Sequence, residues 1–391
     1  MAPSRRLAFI DLLRGWAVIV MIETHVVNAT IQKGIADAPW FEVINFINGL
    51  VAPTFLFASG MAFAVTTRRK LDSYLTLGMP LLKQVWRLLF ILILAYILHL
   101  PKFNLKALLE GFTERQYLVF LQADVLHCIA VSLLFLQAVL FLVRTEKLLY
   151  RVAGGVALII LFVTPFVWGV DWLTVMPAPL AAYMNGLHFS LFPVFPWMVF
   201  IIAGTIAGYA FTSSQVPVTP ESRPVFPIRP FATFGAGLIV MSFILIPLAW
   251  AYPTYDYWRY SPAFVLLRLG IVMLFAAAAM AYEVHKGVSP RSLVTMVGRE
   301  SLLIYTVHLM LIYGDYGPFN FRRWPQLPFM PVLPTAAKVL TPCIWLSMTP
   351  LTMPSIRRFA TAGRSTGTAS TSRPTRCGLF SCKPCKAATP R

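Results

Sequence analysis

Three ionisable side chains, Asp11, Arg14 and His25, fall inside one apolar stretch near the start of the chain. In a membrane helix such residues are costly enough to mark a working site. At 3.6 residues per turn, the eleven residues from Arg14 to His25 make about three turns, so both project from nearly one face, roughly 16 Å apart along the axis. Asp11 lies one turn before Arg14 on the same stripe, placed to pair with it and offset its desolvation. An activated carrier with its phosphates on Arg14 would thread its arm along this helix and present its reactive end at His25. Imidazole is the side chain best suited to take a proton from a hydroxyl or amine near neutral pH. The same residues also fit a structural ion pair at a helix end with an interfacial histidine.

A second set recurs late in the chain. Ser301, Tyr305 and His308 stand at i, i+4 and i+7, on one helical face. His308 could line the same cavity as His25 or bond a neighbouring helix. Asp124 and His127, three residues apart, form a further pair, read here as structural, with orientation of a reacting group as the alternative. His99, His188 and His285 fall at segment ends or in loops, where exposure is expected. No His-x-x-Glu-His or Glu-x-x-His spacing accompanies these residues, so no metal site is expected. Cys382-x-x-Cys385 lacks a second pair. There is no phosphate-binding Gly-rich loop, no dinucleotide turn, and no pair of broken helices of the kind transporters repeat.

The elements that must hold these side chains are membrane helices. Of 391 residues, 58% are hydrophobic and 12% charged, against about 45–50% and about 25% in soluble domains. Apolar segments near 7–28, 43–66, 82–100, 121–143, 148–168, 191–212, 231–252, 262–283 and 300–314 approach the ~20 residues a span needs. A tenth, 332–352, is interrupted by Lys338 and prolines. The expectation is an all-α, polytopic transmembrane bundle of about ten helices. The first apolar run carries too many charges for a cleaved signal peptide and reads as a retained helix.

The net charge of +18 does not indicate nucleic acid, because the basic residues sit in short runs between apolar segments and no nucleic-acid-binding motif accompanies them. Arg5/Arg6, Arg68/Arg69/Lys70/Lys83/Arg87, Arg144/Lys147/Arg151, Arg223/Arg229 and Lys286/Arg291/Arg299 all fall on one side of the alternation. The positive-inside rule makes that side cytoplasmic, with both termini inside; Arg322/Arg323 are the exception. Residues 1–354 read as one membrane domain. Residues 355–391 contain eight Lys or Arg and no Asp or Glu, which suits a basic, disordered tail lying on anionic lipid. A frameshifted end to the last helix fits equally.

The stretch RRLAFIDLLRGWAVIVMIETHVVNA resembles the first helix of the transmembrane acyltransferase superfamily, where an Asp-x-Leu-Arg-Gly run precedes an apolar helix ending in His. The Arg-x10-His spacing is also seen in membrane acyltransferase family 3. NGLVAPTFLFASGMAFA is similar to the second helix of the heparan-α-glucosaminide N-acetyltransferase-like branch, and FPVFPWMVFIIAGTIAGY and VGRESLLIYTVHL have counterparts there. The resemblance spans roughly residues 5–315. It implies that Arg14 faces an acyl-CoA site and that His25 is catalytic. One departure stands out: where the eukaryotic enzyme has its essential loop histidine before Ala-x-Trp, this chain has Asp37-Ala-Pro-Trp40. Asp37 is then a partner of His25 or an acceptor-binding group.

The expected function is therefore transfer of an acyl group, acetyl by this resemblance, from cytoplasmic acyl-CoA to a hydroxyl or amine of an extracytoplasmic sugar or glycan in the cell envelope. His25, Asp37 and His308 are the catalytic candidates, and Asp11, Arg14, Arg68 and Arg69 the donor-binding ones. The expected location is the plasma or inner membrane, and no partner beyond lipid, donor and acceptor is implied. The alternative is an exporter or transporter of a small polar solute, with the same buried polar residues forming its path.

Overall fold

The computed structural model describes residues 7–31, 38–103, 109, 111–213, 226–289 and 291–314. Within them the longer helices are α1 (Ala8–Thr30), α2 (Pro39–Asn48), α3 (Val51–Arg69), α4 (Met79–Leu98), α5 (Glu114–Leu121), α6 (Val125–Val143), α7 (Glu146–Trp168), α8 (Val194–Ser213), α9 (Ile228–Ile244), α10 (Pro262–Lys286), α11 (Leu293–Arg299) and α12 (Ser301–Tyr313). The protein is an all-α, multi-pass membrane bundle. Among the described residues six spans are long and apolar enough to cross a bilayer: the joined span Pro39–Arg69, then α4, α6, α7, α8 and α10. Each of the first nine expected segments contains a helix. The tenth, Asp37, Arg322/Arg323 and the basic tail lie outside the described residues.

Local sequence explains the boundaries. Pro39, Pro80 and Pro262 sit in first turns, where their missing N–H has no intrahelical acceptor to lose. Ser261 Oγ accepts from the Phe264 N–H at 3.0 Å and starts α10. The span expected near 43–66 is present as Pro39–Arg69, built of two helices joined at Gly49 and Leu50. The segment expected at 231–252 stops as an α-helix at Ile244 and continues as a 3-10 stretch, Ile246–Ala251, begun by Pro247.

Lipid-facing and core-facing surfaces separate cleanly on the outer helices. On α4, Trp86, Phe90, Ile93 and Ile97 form an exposed apolar stripe at helical spacing. In water such a stripe would be unfavourable; in a bilayer it is the outer wall. The centre of the bundle instead uses small residues. α3 packs closely on α8, where a Cβ on Gly60 would overlap the Ile201 carbonyl and one on Gly204 the Phe57 carbonyl. α1 packs on α11 by the same device, through Gly15 against Val294 and Gly298 against Asp11. Such close approach is how membrane helices gain packing energy without a hydrophobic drive. Gly204→Val should therefore force α3 and α8 apart and cost about 1–3 kcal/mol. Gly155→Ala, where no atom lies within 4 Å of the added carbon, should not destabilise. Thermal unfolding of both variants in detergent checks the contrast.

The two ends of the bundle differ. At one end Arg68 donates to Ser213 Oγ at 2.7 Å and lies 4.0 Å from Glu146, while Arg144 donates to the Leu75 carbonyl at 3.1 Å. That gathers the ends of α3, α6 and α8 and the start of α7. At the opposite end meet the last turns of α1, α4 and α12 and the start of α6, and this end holds His25, His99, His127 and His308.

Candidate active site

Four helix ends bring together residues far apart in sequence. His25, near the end of α1, has Nδ1 2.9 Å from the Tyr313 hydroxyl. The His25 and His308 rings lie 5.3 Å apart between centroids. One turn before His308, Tyr305 donates its hydroxyl proton to Asp124 Oδ2. Asp124 caps α6, with Oδ1 accepting from the Val125 N–H at 2.6 Å, and its own N–H donates to His127 Nδ1 at 3.3 Å. The cluster extends to Tyr96, 4.3 Å from the His127 ring, and to His99 at 5.4 Å. Tyr96 and Tyr183 hydroxyls share a 2.9 Å hydrogen bond.

The hydrogen bonds fix the tautomers of two rings. His308 Nδ1 lies 3.0 Å from the Ile304 carbonyl. A carbonyl only accepts, so Nδ1 carries the proton and Nε2 of the neutral ring is a bare lone pair. His127 is the reverse: its Nδ1 accepts from a backbone N–H, so its proton is on Nε2. Both rings are 0% exposed, and neither Nε2 has a hydrogen-bond partner among the described residues. Buried polar atoms without partners are uncommon and call for an occupant. One is a proton acceptor and the other a donor, on either side of the Tyr305–Asp124 bond.

His25 and His308 are brought together. Ser301, Tyr305 and His308 form one buried face, as their spacing implies. Asp124 and His127 do pair, and Tyr305 joins them. Asp11 is buried at the start of α1 and Arg14 is partly buried one turn on. Arg68 and Arg69 are exposed at the end of α3, and Arg68 bonds Ser213 and lies 5.7 Å from the Tyr209 ring. Asp37 lies outside the described residues. His99, expected to be exposed, is partly buried, because Ala95 accepts from its Nδ1 at 2.9 Å and His127 packs against it. His285 is exposed as expected. His188 sits in a loop, where its Nε2 lies 2.8 Å from Asp171 Oδ1; that bond, then the Leu173 N–H, holds the Asp171 carboxyl below its ordinary range. Tyr313, Tyr96 and Tyr183 were not singled out from sequence. Tyr313 alone had a signal, lying five residues beyond His308 on the same helix. Among the described residues no group of His, Cys, Asp and Glu could hold a metal ion.

A cavity of about 900 Å³ flanks the other half of α1, lined by Leu12, Trp16, Phe275, Tyr282, Lys286 and Ser292 among others. None of its lining residues belongs to the histidine cluster.

No curated protein matches the chain. The family model for the heparan-alpha-glucosaminide N-acetyltransferase catalytic domain matches residues 6–240, more than half of the chain and inclusive of Arg14, His25, Asp124 and His127. With a polar cluster buried in a membrane bundle and a match of this extent, the chain belongs to the heparan-α-glucosaminide N-acetyltransferase catalytic family.

Proposed function

We propose that this protein transfers an acetyl group from acetyl-CoA to an amine or hydroxyl of a sugar on the far side of the membrane. The observation that carries the reading is the juxtaposition of His25 and His308 at one end of a bundle whose basic loops lie at the other. His25 acts as general base on the acceptor, and Tyr313 at its Nδ1 orients the ring. His308 Nε2, a lone pair fixed by the Ile304 carbonyl, accepts a hydrogen bond from the acceptor and orients its nucleophile. Asp37 is a further acceptor-binding residue or a partner of His25. The acceptor nitrogen or oxygen gives its proton to His25 and bonds to the thioester carbonyl carbon, the C–S bond breaks, and the protonated His25 passes that proton to the departing sulfur, releasing CoA as the thiol.

The donor enters from the basic end, which the positive-inside rule assigns to the cytoplasm together with both termini. Arg14 holds its phosphates, Asp11 steadies Arg14, and the exposed Arg68 and Arg69 draw the anion in. The 900 Å³ cavity beside α1 has Lys286 in its lining but neither Arg14 nor His25, which project from another face of the helix. The setting is a plasma or inner membrane and the acceptor a glycan of the envelope.

The reading is tested with the purified protein, acetyl-CoA labelled in its acetyl group, and methyl glucosaminide as acceptor. Labelled N- or O-acetyl sugar is the expected product. Release of CoA no faster than in a protein-free control, with no labelled sugar, would leave the reading without an activity.

A further inference from the structure

One cation in the bundle belongs to none of the groups above. Arg268 lies in α10 within an otherwise apolar run. Its guanidinium carbon is 3.8 Å from the Phe264 ring centroid and 5.6 Å from that of Trp197. Among the described residues it has neither a carboxylate nor a hydrogen-bond acceptor; the ion pairs of the bundle are made elsewhere. Two aromatic faces offset part of the cost of holding a cation there. They leave its planar fork of N–H donors unused.

The depth of Arg268 follows from how α10 runs against α1. The Phe9 N–H donates to Glu283 Oε2 at 2.7 Å, and Trp16 packs on Phe275 at 5.7 Å between centroids. The two helices are therefore antiparallel. Counting seven residues on from Trp16 and seven back from Phe275 puts Arg268 level with Glu23, roughly 3 Å along the axis from His25. The side chain is thus on the histidine end of the bundle, away from the basic loops. At the junction of α2 and α3, Gly49 has no side chain, and a Cβ there would come within 3.3 Å of Arg268 Nη2. The α2–α3 junction thus packs close beside the guanidinium.

We infer that Arg268 is an anion-recognition residue: it binds an oxyanion, a carboxylate or phosphate, carried by the acceptor sugar. A flat fork of donors matches such groups in bidentate fashion. The partly exposed ring of Trp197 suits the face of a sugar ring beside it, while Phe264 is buried behind the guanidinium. Assignment of the anion to the acceptor rests on the acetyltransferase reading. The binding itself does not, so the test omits acetyl-CoA and can fail separately from that reading.

The full chain in phosphatidylcholine nanodiscs is titrated with methyl glucuronide, glucose 1-phosphate and methyl glucoside, and binding is followed by calorimetry. At least one anionic sugar should bind 10-fold or more tightly than the neutral glucoside, and the preferred anion identifies the source, uronate or phosphate. Arg268→Gln should abolish the preference and Arg268→Lys should retain part of it. Equal binding of all three sugars by the wild type, or an undiminished preference in Arg268→Gln, overturns the inference. Should Arg268→Gln not fold, phenylglyoxal labelling of wild-type Arg268 is read by mass spectrometry. The preferred anion should slow it 5-fold or more and the glucoside should not; equal labelling overturns the inference.

Discussion

His25→Ala should reduce acetyl transfer by about 10²–10⁴-fold, the range general-base catalysis contributes, while the protein still inserts and folds. The fold should survive because the His25 ring is only partly buried and contacts Tyr313 and His308 at the rim of the bundle, while the packing of α1 runs through Gly15, Val18 and Ile22. Measured as initial rates with acetyl-CoA and an amino sugar, the loss should fall mainly on kcat, because a base acts in the transition state more than in the ground state. His308→Ala should give a smaller loss with a raised acceptor KM, since its proposed role is to orient. Tyr313→Phe removes the hydrogen-bond partner of His25 Nδ1 and should fall between them. Equal transfer rates in His25→Ala and wild type would remove His25 from the chemistry.

The second large effect concerns the Tyr305–Asp124 bond. Asp124 is 7% exposed and Tyr305 3%. Tyr305→Phe leaves a buried carboxylate short of its hydroxyl donor, and hydrogen bonds to charged groups contribute about 1.5–3 kcal/mol. Asp124→Ala should cost more, because the same carboxylate also caps α6 through the Val125 N–H, a contribution of about 1 kcal/mol. The two changes should not add: the double variant should be close to Asp124→Ala alone, with a coupling of at least ~1 kcal/mol in a double-mutant cycle. Additive losses in detergent unfolding would mean that the contact between α6 and α12 does not stabilise the bundle. Activity should fall in both single variants, since the bond sets the position of α12 and so of His308.

Much of this architecture is legible in the sequence. Apolar segment lengths give the helices, and the i, i+4, i+7 spacing of Ser301, Tyr305 and His308 gives their shared buried face. Arg14 and His25 do share one helix, as their segment implies. What the sequence does not carry is the rotation of one helix against another. The Tyr305–Asp124 bond joins residues 181 apart and the His25–Tyr313 contact residues 288 apart. Neither could be read from spacing. Asp124 and His127 looked like a local pair because their partner lies on another helix. His99 looked exposed because it ends a segment, yet the ring of His127 packs against it. Arg268 drew no attention as a single charge in an apolar run; only the surrounding Phe264, Trp197 and Gly49 give it meaning. The break at Gly49 and Leu50 was hidden because apolar residues continue across it.

In the proposed function, donor and acceptor meet inside the bundle from opposite faces of the membrane. Sealed vesicles with the cytoplasmic face outward test it most directly, with labelled acetyl-CoA outside and an amino sugar trapped within. The account requires label on the trapped sugar with wild-type protein and none above background with His25→Ala. Label confined to the external donor in intact vesicles, or label on the trapped sugar at the same rate with His25→Ala, would contradict it.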